Sequence, residues 1–282
     1  MLKGLTSAGL GEFKDINSFI KLASRYGFQA IDTDSEAIKC FIESEGTAGA
    51  KLFLQEHHIE IVAMNLPVEW RESEEQFRND LPKLVEAAKS AFDVGCKACT
   101  TYILPSTDYH SAQFMAVATR RLRTCAQILH NYGIRLGLEF VGPHHLRTAW
   151  KNPFIWDLQQ TLDFIEAIGE KNVGLLIDAY HCYTTNLSNE SLTKLSADQI
   201  VHVHINDAKD IPVHELLDND RLFPGEGVID LSGFLRALKA AGYKGAVSQE
   251  VLTATAPTEP IEGLLEKSQK AYTTIFKKAG LE

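Results

Sequence analysis

NVGLLIDAYH, residues 172–181, is the stretch whose reading decides the fold. The apolar run Val173–Ile177 is too short for a helix and ends in a carboxylate, Asp178. Short continuous apolar runs suit strands covered on both faces, as in parallel sheets. A charge at the end of such a run is costly to bury and needs a partner. The same pattern recurs on either side. RLGLEFVG (135–142) carries Glu139, QIVHVHIND (199–207) carries His204, and GAVSQEVL (245–252) carries Glu250. Upstream, LKGLTSA (2–8), QAIDTD (29–34), IEIVAMNL (59–66) and ACTTYIL (98–104) read as four further strands.

Helical periodicity fills the intervals. In residues 15–28, Ile16, Phe19, Ile20, Ala23 and Tyr26 lie near one face, and Gly27 is a stop. Residues 36–58 form a second helical layer broken near Gly46 and Gly49. In 72–94 the stripe is Leu81, Leu84, Val85, Ala88 and Phe92, and Pro82 predicts a break near residue 80. Further helices are expected within 111–132, 153–169, 231–241 and 260–278. This β–α alternation predicts an α/β fold, a closed (β/α)8 TIM barrel forming a single domain over residues 1–282. A nucleotide-binding sheet would need a Gly-rich turn after its first strand. GLTSAGLGEF holds no GxGxxG, and PGEG (224–227) has no lysine to make a phosphate cradle.

The formal net charge is −9, without a block of lysine or arginine, so no nucleic-acid partner is expected. Five cysteines, an odd number spread over a long chain, read as reduced, and CKAC (96–99) reads as the start of a buried strand. There is no signal-like N-terminus and no apolar stretch of membrane-spanning length. The expectation is a cytoplasmic protein with no membrane partner; a homo-oligomer is left open.

Glu139, Asp178, His204 and Glu250 lie near the C-terminal ends of four consecutive predicted strands. Each has a plain alternative: an ion pair for the glutamates, a turn cap for Asp178, a satisfied core histidine for His204. Pointing inward together, they converge at the barrel mouth. Three carboxylates there repel one another, and a divalent cation resolves the conflict. One nitrogen among oxygens suits Mn²⁺, Zn²⁺, Mg²⁺ or Co²⁺, and iron stays open. His202 shares parity with His204 one layer deeper and reads as a core or supporting histidine. His181, Asn206 and Arg221 (in DNDRLFPGEG) are the expected substrate contacts, with His181 also a candidate in catalysis. Trp70 and Tyr102 are candidates for an apolar wall.

LEFVG (138–142), GLLIDAYH (174–181), HVHINDA (202–208), DRLFPGEGVIDL (220–231) and VSQEVL (247–252) resemble the sugar phosphate isomerase/epimerase superfamily, the xylose-isomerase-like barrels. Within it the spacing is similar to that of inosose isomerases, which act on 2-keto-myo-inositol. The resemblance implies that Glu139, Asp178, His204 and Glu250 hold the metal and that Glu139 and Glu250 also move the substrate proton. It implies a substrate contact at His181. Ketose 3-epimerases of this superfamily carry an arginine six residues after the metal histidine; here that residue is Asp210, which counts against a plain ketose epimerase. The implied function is isomerisation of a polyhydroxylated carbonyl compound, a sugar or an inosose, through an enediolate. Ketose epimerisation and inosose dehydration use the same constellation. A non-enzymatic sugar-binding barrel is the competing class.

Overall fold

The structure, a computed structural model, describes residues 1–281. Eight parallel strands close into a barrel: β1 (Leu2–Leu5), β2 (Ala30–Thr33), β3 (Glu60–Asn65), β4 (Ala98–Ile103), β5 (Arg135–Phe140), β6 (Val173–Asp178), β7 (Ile200–Ile205) and β8 (Ala246–Gln249). Each pairs with its sequence neighbours, and β1 pairs with β8. The order is that expected from the eight apolar runs. β6 is buried along its whole length, which is why its sequence does not alternate.

The outer layer comprises α1 (Ile16–Arg25), α2 (Ser35–His57), α3 (Glu74–Val94), α4 (Ser111–His130), α5 (Leu158–Ile168), α6 (Asn189–Thr193), α7 (Leu231–Ala240) and α8 (Ile261–Ala279). Side-chain caps set several starts: Asp15, Asp34, Ser73, Asp157 and Asp230 each accept a backbone N–H of the first turn. α2 does break at Gly46, whose φ of 69° and ψ of 157° are not helical, but it does not break at Gly49. α8 returns to the closing seam, where the Tyr272 hydroxyl lies 2.9 Å from both Gly4 O and Val247 O.

α3 departs from the sequence expectation twice. It runs unbroken through Pro82. Its buried face is Phe77, Leu84, Ala87, Ala88 and Ala91, whereas Val85 and Phe92 are exposed at 43% and 61%. The Ser73 cap and that buried face outweigh the one N–H that proline lacks.

The long loop between β7 and α7 is anchored from within. Asp207 Oδ2 accepts from Gly225 N and Gly227 N at 2.9 and 3.0 Å; Oδ1 accepts from Ala208 N and Ile229 N at 2.9 Å each. The Gly225 and Gly227 amides of PGEG are therefore spent on this carboxylate. A Cβ at Gly227 would collide with Ala208 O and meet Asp207 Oδ1 at 2.6 Å. Gly227→Ala is expected to cost about 1–3 kcal/mol, read as a lower midpoint in thermal unfolding followed by circular dichroism; an unchanged midpoint would show that the loop yields.

Candidate functional site

β5 to β8 deliver four polar side chains to the C-terminal mouth of the barrel. Asp178 is register partner to His204, and Ser248, two residues before Glu250, is the partner of His204 on the other side. Glu139 pairs with Tyr102 and Leu176. One ligand atom from each of Glu139, Asp178, His204 and Glu250 lies within 4.8 Å of the others. The convergence expected from the strand ends is thus the observed geometry.

Asp178 does two jobs. Its Oδ1 accepts from Tyr180 N (2.7 Å) and His181 N (3.1 Å), capping the short helix Ala179–Thr184. Its Oδ2 accepts from Asn206 Nδ2 (2.8 Å) and Arg221 Nη1 (3.1 Å). Arg221 is the hub behind the site. Its Nη1 also donates to Glu250 Oε2 (2.8 Å), its Nη2 to Asp218 Oδ1 (2.8 Å), and its Nε to Asp218 O (3.0 Å).

Three expected substrate contacts are placed differently. Asn206 is fully enclosed, with its amide nitrogen on Asp178 and on Glu250 O. Arg221 has a side chain 1% exposed, and its donors face carboxylates, a carbonyl and the His181 ring. His181 is also enclosed: Gly142 N lies 3.3 Å from its Nδ1 and Arg221 Nη2 3.3 Å from its Nε2, which is 3.9 Å from both Glu139 Oε1 and Asp218 Oδ1. Asp218 and Arg221, from the loop between β7 and α7, pack against Asp178, Glu250 and His181. Trp70 is core, donating to Thr101 Oγ1, while Tyr102 is 47% exposed and carries the Arg71 guanidinium 4.1 Å above its ring.

The residue that sequence reasoning missed is Asp32, on β2. Its Oδ2 accepts from His202 Nε2 (2.6 Å) and His204 Nε2 (3.0 Å), and its Oδ1 from Ser248 Oγ (2.7 Å). The signal was present: Asp32 ends the apolar start of QAIDTD as Asp178 ends GLLID. Asp218 was missed too, because nothing in DNDR distinguishes one acid from the next.

Electrostatics make the site hungry for positive charge. Burial favours the neutral form of Glu139 and raises its carboxyl above the usual range despite the His204 contact. Burial acts the same way on Glu250, but His204 and Arg221 overcome it and hold that carboxyl well below the usual range. Burial disfavours imidazolium at His204, yet Glu250, Asp32 and Glu139 raise its proton affinity well above the usual value. His204 Nδ1 lies 3.4 Å from Glu250 Oε2 and 3.7 Å from Glu139 Oε1. Both His204 Nδ1 and Glu139 Oε1 are buried without a hydrogen-bond partner. Two orphaned atoms facing one point, in an oxygen-rich set with one nitrogen, fit a divalent cation.

A cavity of about 640 Å³ opens beside this point, over the β1–β4 half of the mouth. Its polar walls include Thr6, Glu12, Asp34, Asn65 and Thr100, it reaches Asp32, His204 and Glu250, and no lysine or arginine lines it.

Comparison with known proteins agrees with this geometry. The model of the xylose isomerase-like TIM barrel family matches residues 20–273. An inosose isomerase of Bacillus velezensis is 27% identical over 243 residues, 85% of this chain and 84% of that protein. A xylose isomerase domain protein of Alicyclobacillus acidocaldarius superposes with a TM-score of 0.91 at 32% identity, over 99% of both chains. The IOLI protein, solved with a bound zinc atom, shares the fold with a TM-score of 0.81 at 22% identity over 99% of both chains.

Proposed function

This chain belongs to the xylose isomerase-like TIM barrel family, and on that premise we propose that it is a divalent-metal-dependent isomerase of an uncharged, polyhydroxylated carbonyl compound, an inosose. The observation that carries the reading is the convergence of Glu139, Asp178, His204 and Glu250, with two orphaned atoms, at the edge of a polar cavity. The likeness to an inosose isomerase supports the substrate class.

In this reading Glu139, Asp178, His204 and Glu250 hold the cation. The cation supplies Lewis acidity, which favours loss of a proton next to a carbonyl. One of Glu139 and Glu250 takes that proton, and the other returns one at the neighbouring carbon. Arg221 keeps Glu250 and Asp178 in place and offsets their mutual repulsion. His181 Nε2 stands between Arg221 and Glu139. Asn206 orients Asp178. The cavity walls contribute hydroxyl, amide and carboxylate groups that match a polyol. With Glu12, Asp32 and Asp34 along it and no lysine or arginine lining it, the cavity wall away from the metal disfavours phosphorylated or carboxylated substrates.

Proton NMR in D₂O, with Mn²⁺-loaded enzyme removed before recording and 2-keto-myo-inositol as substrate, tests the reading. The expected result is deuterium beside the carbonyl and accumulation of an isomeric inosose. Dialysis against a chelator should abolish exchange, and added Mn²⁺ or Zn²⁺ should restore it. Loss of water to a diketone would reassign the chain to dehydration. Absence of exchange with verified metal content would overturn the inosose assignment.

A further inference from the structure

We infer that Asp32 is a positioning residue that holds His204 in the tautomer whose Nδ1 faces the cation, an inference that rests on the reading of the site as a metal centre. The geometry is specific. Asp32 comes from β2, on the far side of β1 from the strands that carry the four candidate ligands. The β2–β3 register slips between Ile31 and Asp32, a bulge of the kind that re-aims a side chain. The re-aimed carboxylate then meets three donors from two other strands: His202 Nε2, His204 Nε2 and Ser248 Oγ.

An ionised carboxylate accepts only. Both histidines therefore present N–H at Nε2. For His204 this leaves the Nδ1 lone pair as the group directed at Glu139 and Glu250, and Nδ1 is the orphaned atom of the ring. With Asp32 absent, neither tautomer of His204 is favoured by a partner at Nε2, and the ring is free to turn. His202 serves the same carboxylate from below. Its ring stands at 87° to that of His204, with centroids 5.2 Å apart, so it buttresses the ring edge-on. Carboxylates that accept from the far nitrogen of a metal-ligating histidine typically strengthen metal binding 10–100-fold.

Asp32, His202 and His204 also lie close enough together to form a metal triad of their own. The hydrogen-bond distances argue against that: 2.6 and 3.0 Å to one carboxylate oxygen leave no room for an ion between.

The test uses the full chain, stripped of metal, and its Asp32→Ala and Asp32→Asn variants. Zn²⁺ affinity is measured by competition with a chromophoric chelator, and stoichiometry by elemental analysis. The wild type should bind one Zn²⁺ per chain, and Asp32→Ala about 10–100-fold more weakly. Asp32→Asn, nearly isosteric and still an acceptor, should fall between them, and it carries the test if the alanine variant does not fold. Long-range ¹H–¹⁵N correlation on the metal-free proteins, at a pH where the ring is neutral, reads the tautomer. His204 should be protonated at Nε2 in the wild type and lose that single signature in Asp32→Ala, a change a merely structural role would not produce. Equal affinities and an unchanged tautomer would overturn the inference. Two Zn²⁺ per wild-type chain, falling to one in Asp32→Ala, would overturn it in favour of a second metal site. Absence of Zn²⁺ binding by the wild type would instead overturn the metal reading beneath it.

Discussion

Glu139→Gln is expected to lower kcat by about 10²–10⁴-fold, the range for losing a positioned general acid or base. Glutamine keeps an oxygen in the place of Glu139 but does not accept or return a proton. The residue is 8% exposed, faces His181 and His204, and has no lysine or arginine bonded to it. Its carboxylate is therefore not an element of a structural ion pair. The measurement is turnover together with deuterium incorporation, both at saturating Mn²⁺, with bound metal quantified. Unchanged turnover with normal metal content would remove Glu139 from proton transfer. Glu250→Gln applies the same contrast on the other side of the site, where the Arg221 contact at 2.8 Å is lost in part as well.

Arg221→Leu is expected to be the most destabilising single change at the site. The guanidinium is buried and bonded to Asp178, Glu250 and Asp218, so its removal leaves buried carboxylates without a counter-charge. Breaking a buried pair in this way costs about 3–5 kcal/mol. For a chain of this size that is a fall in Tm of about 10 °C. A saturating divalent cation should recover part of the loss, because it restores positive charge at the same carboxylates. The deficit also depends on pH. Burial tends to raise the Asp218 carboxyl, but Arg221 and His181 hold it below its usual range. A group lowered in the folded state contributes stability above its unfolded pKa and loses it as pH falls through the folded value. The difference in Tm between wild type and variant should therefore be full at neutral pH and shrink in acid. A difference that grew in acid would contradict the assignment of Arg221 as counter-ion to these carboxylates.

Much of the barrel was legible in sequence because strand signals are local. The apolar run Val173–Ile177 needs no distant partner to be recognised as a doubly covered strand. The convergence of the four polar strand ends was legible for the same reason: a charge closing an apolar run is expensive wherever it stands, and the chain order of the strands is their order around the barrel. α3 shows where local reading fails. Its apolar residues surround more than one face, and the neighbours that bury Leu84 and Ala88 rather than Val85 and Phe92 lie elsewhere in the chain.

The sequence by itself determined the alternation of strands and helices, the closed barrel, and the inward parity that gathers Glu139, Asp178, His204 and Glu250. Only the tertiary structure decided what stands behind them. Asp32 is 170 residues from His202 in the chain and meets it only because β2 and β7 are brought together when the barrel closes on itself. Arg221, in the loop after β7 that Asp207 anchors, turns toward Asp178, Glu250 and Asp218, and Asn206 turns toward Asp178, instead of the open cavity. Parity along a strand is set by the backbone every second residue. The direction of a side chain in a long loop is set by where the loop's anchors fall, and those come from the whole fold.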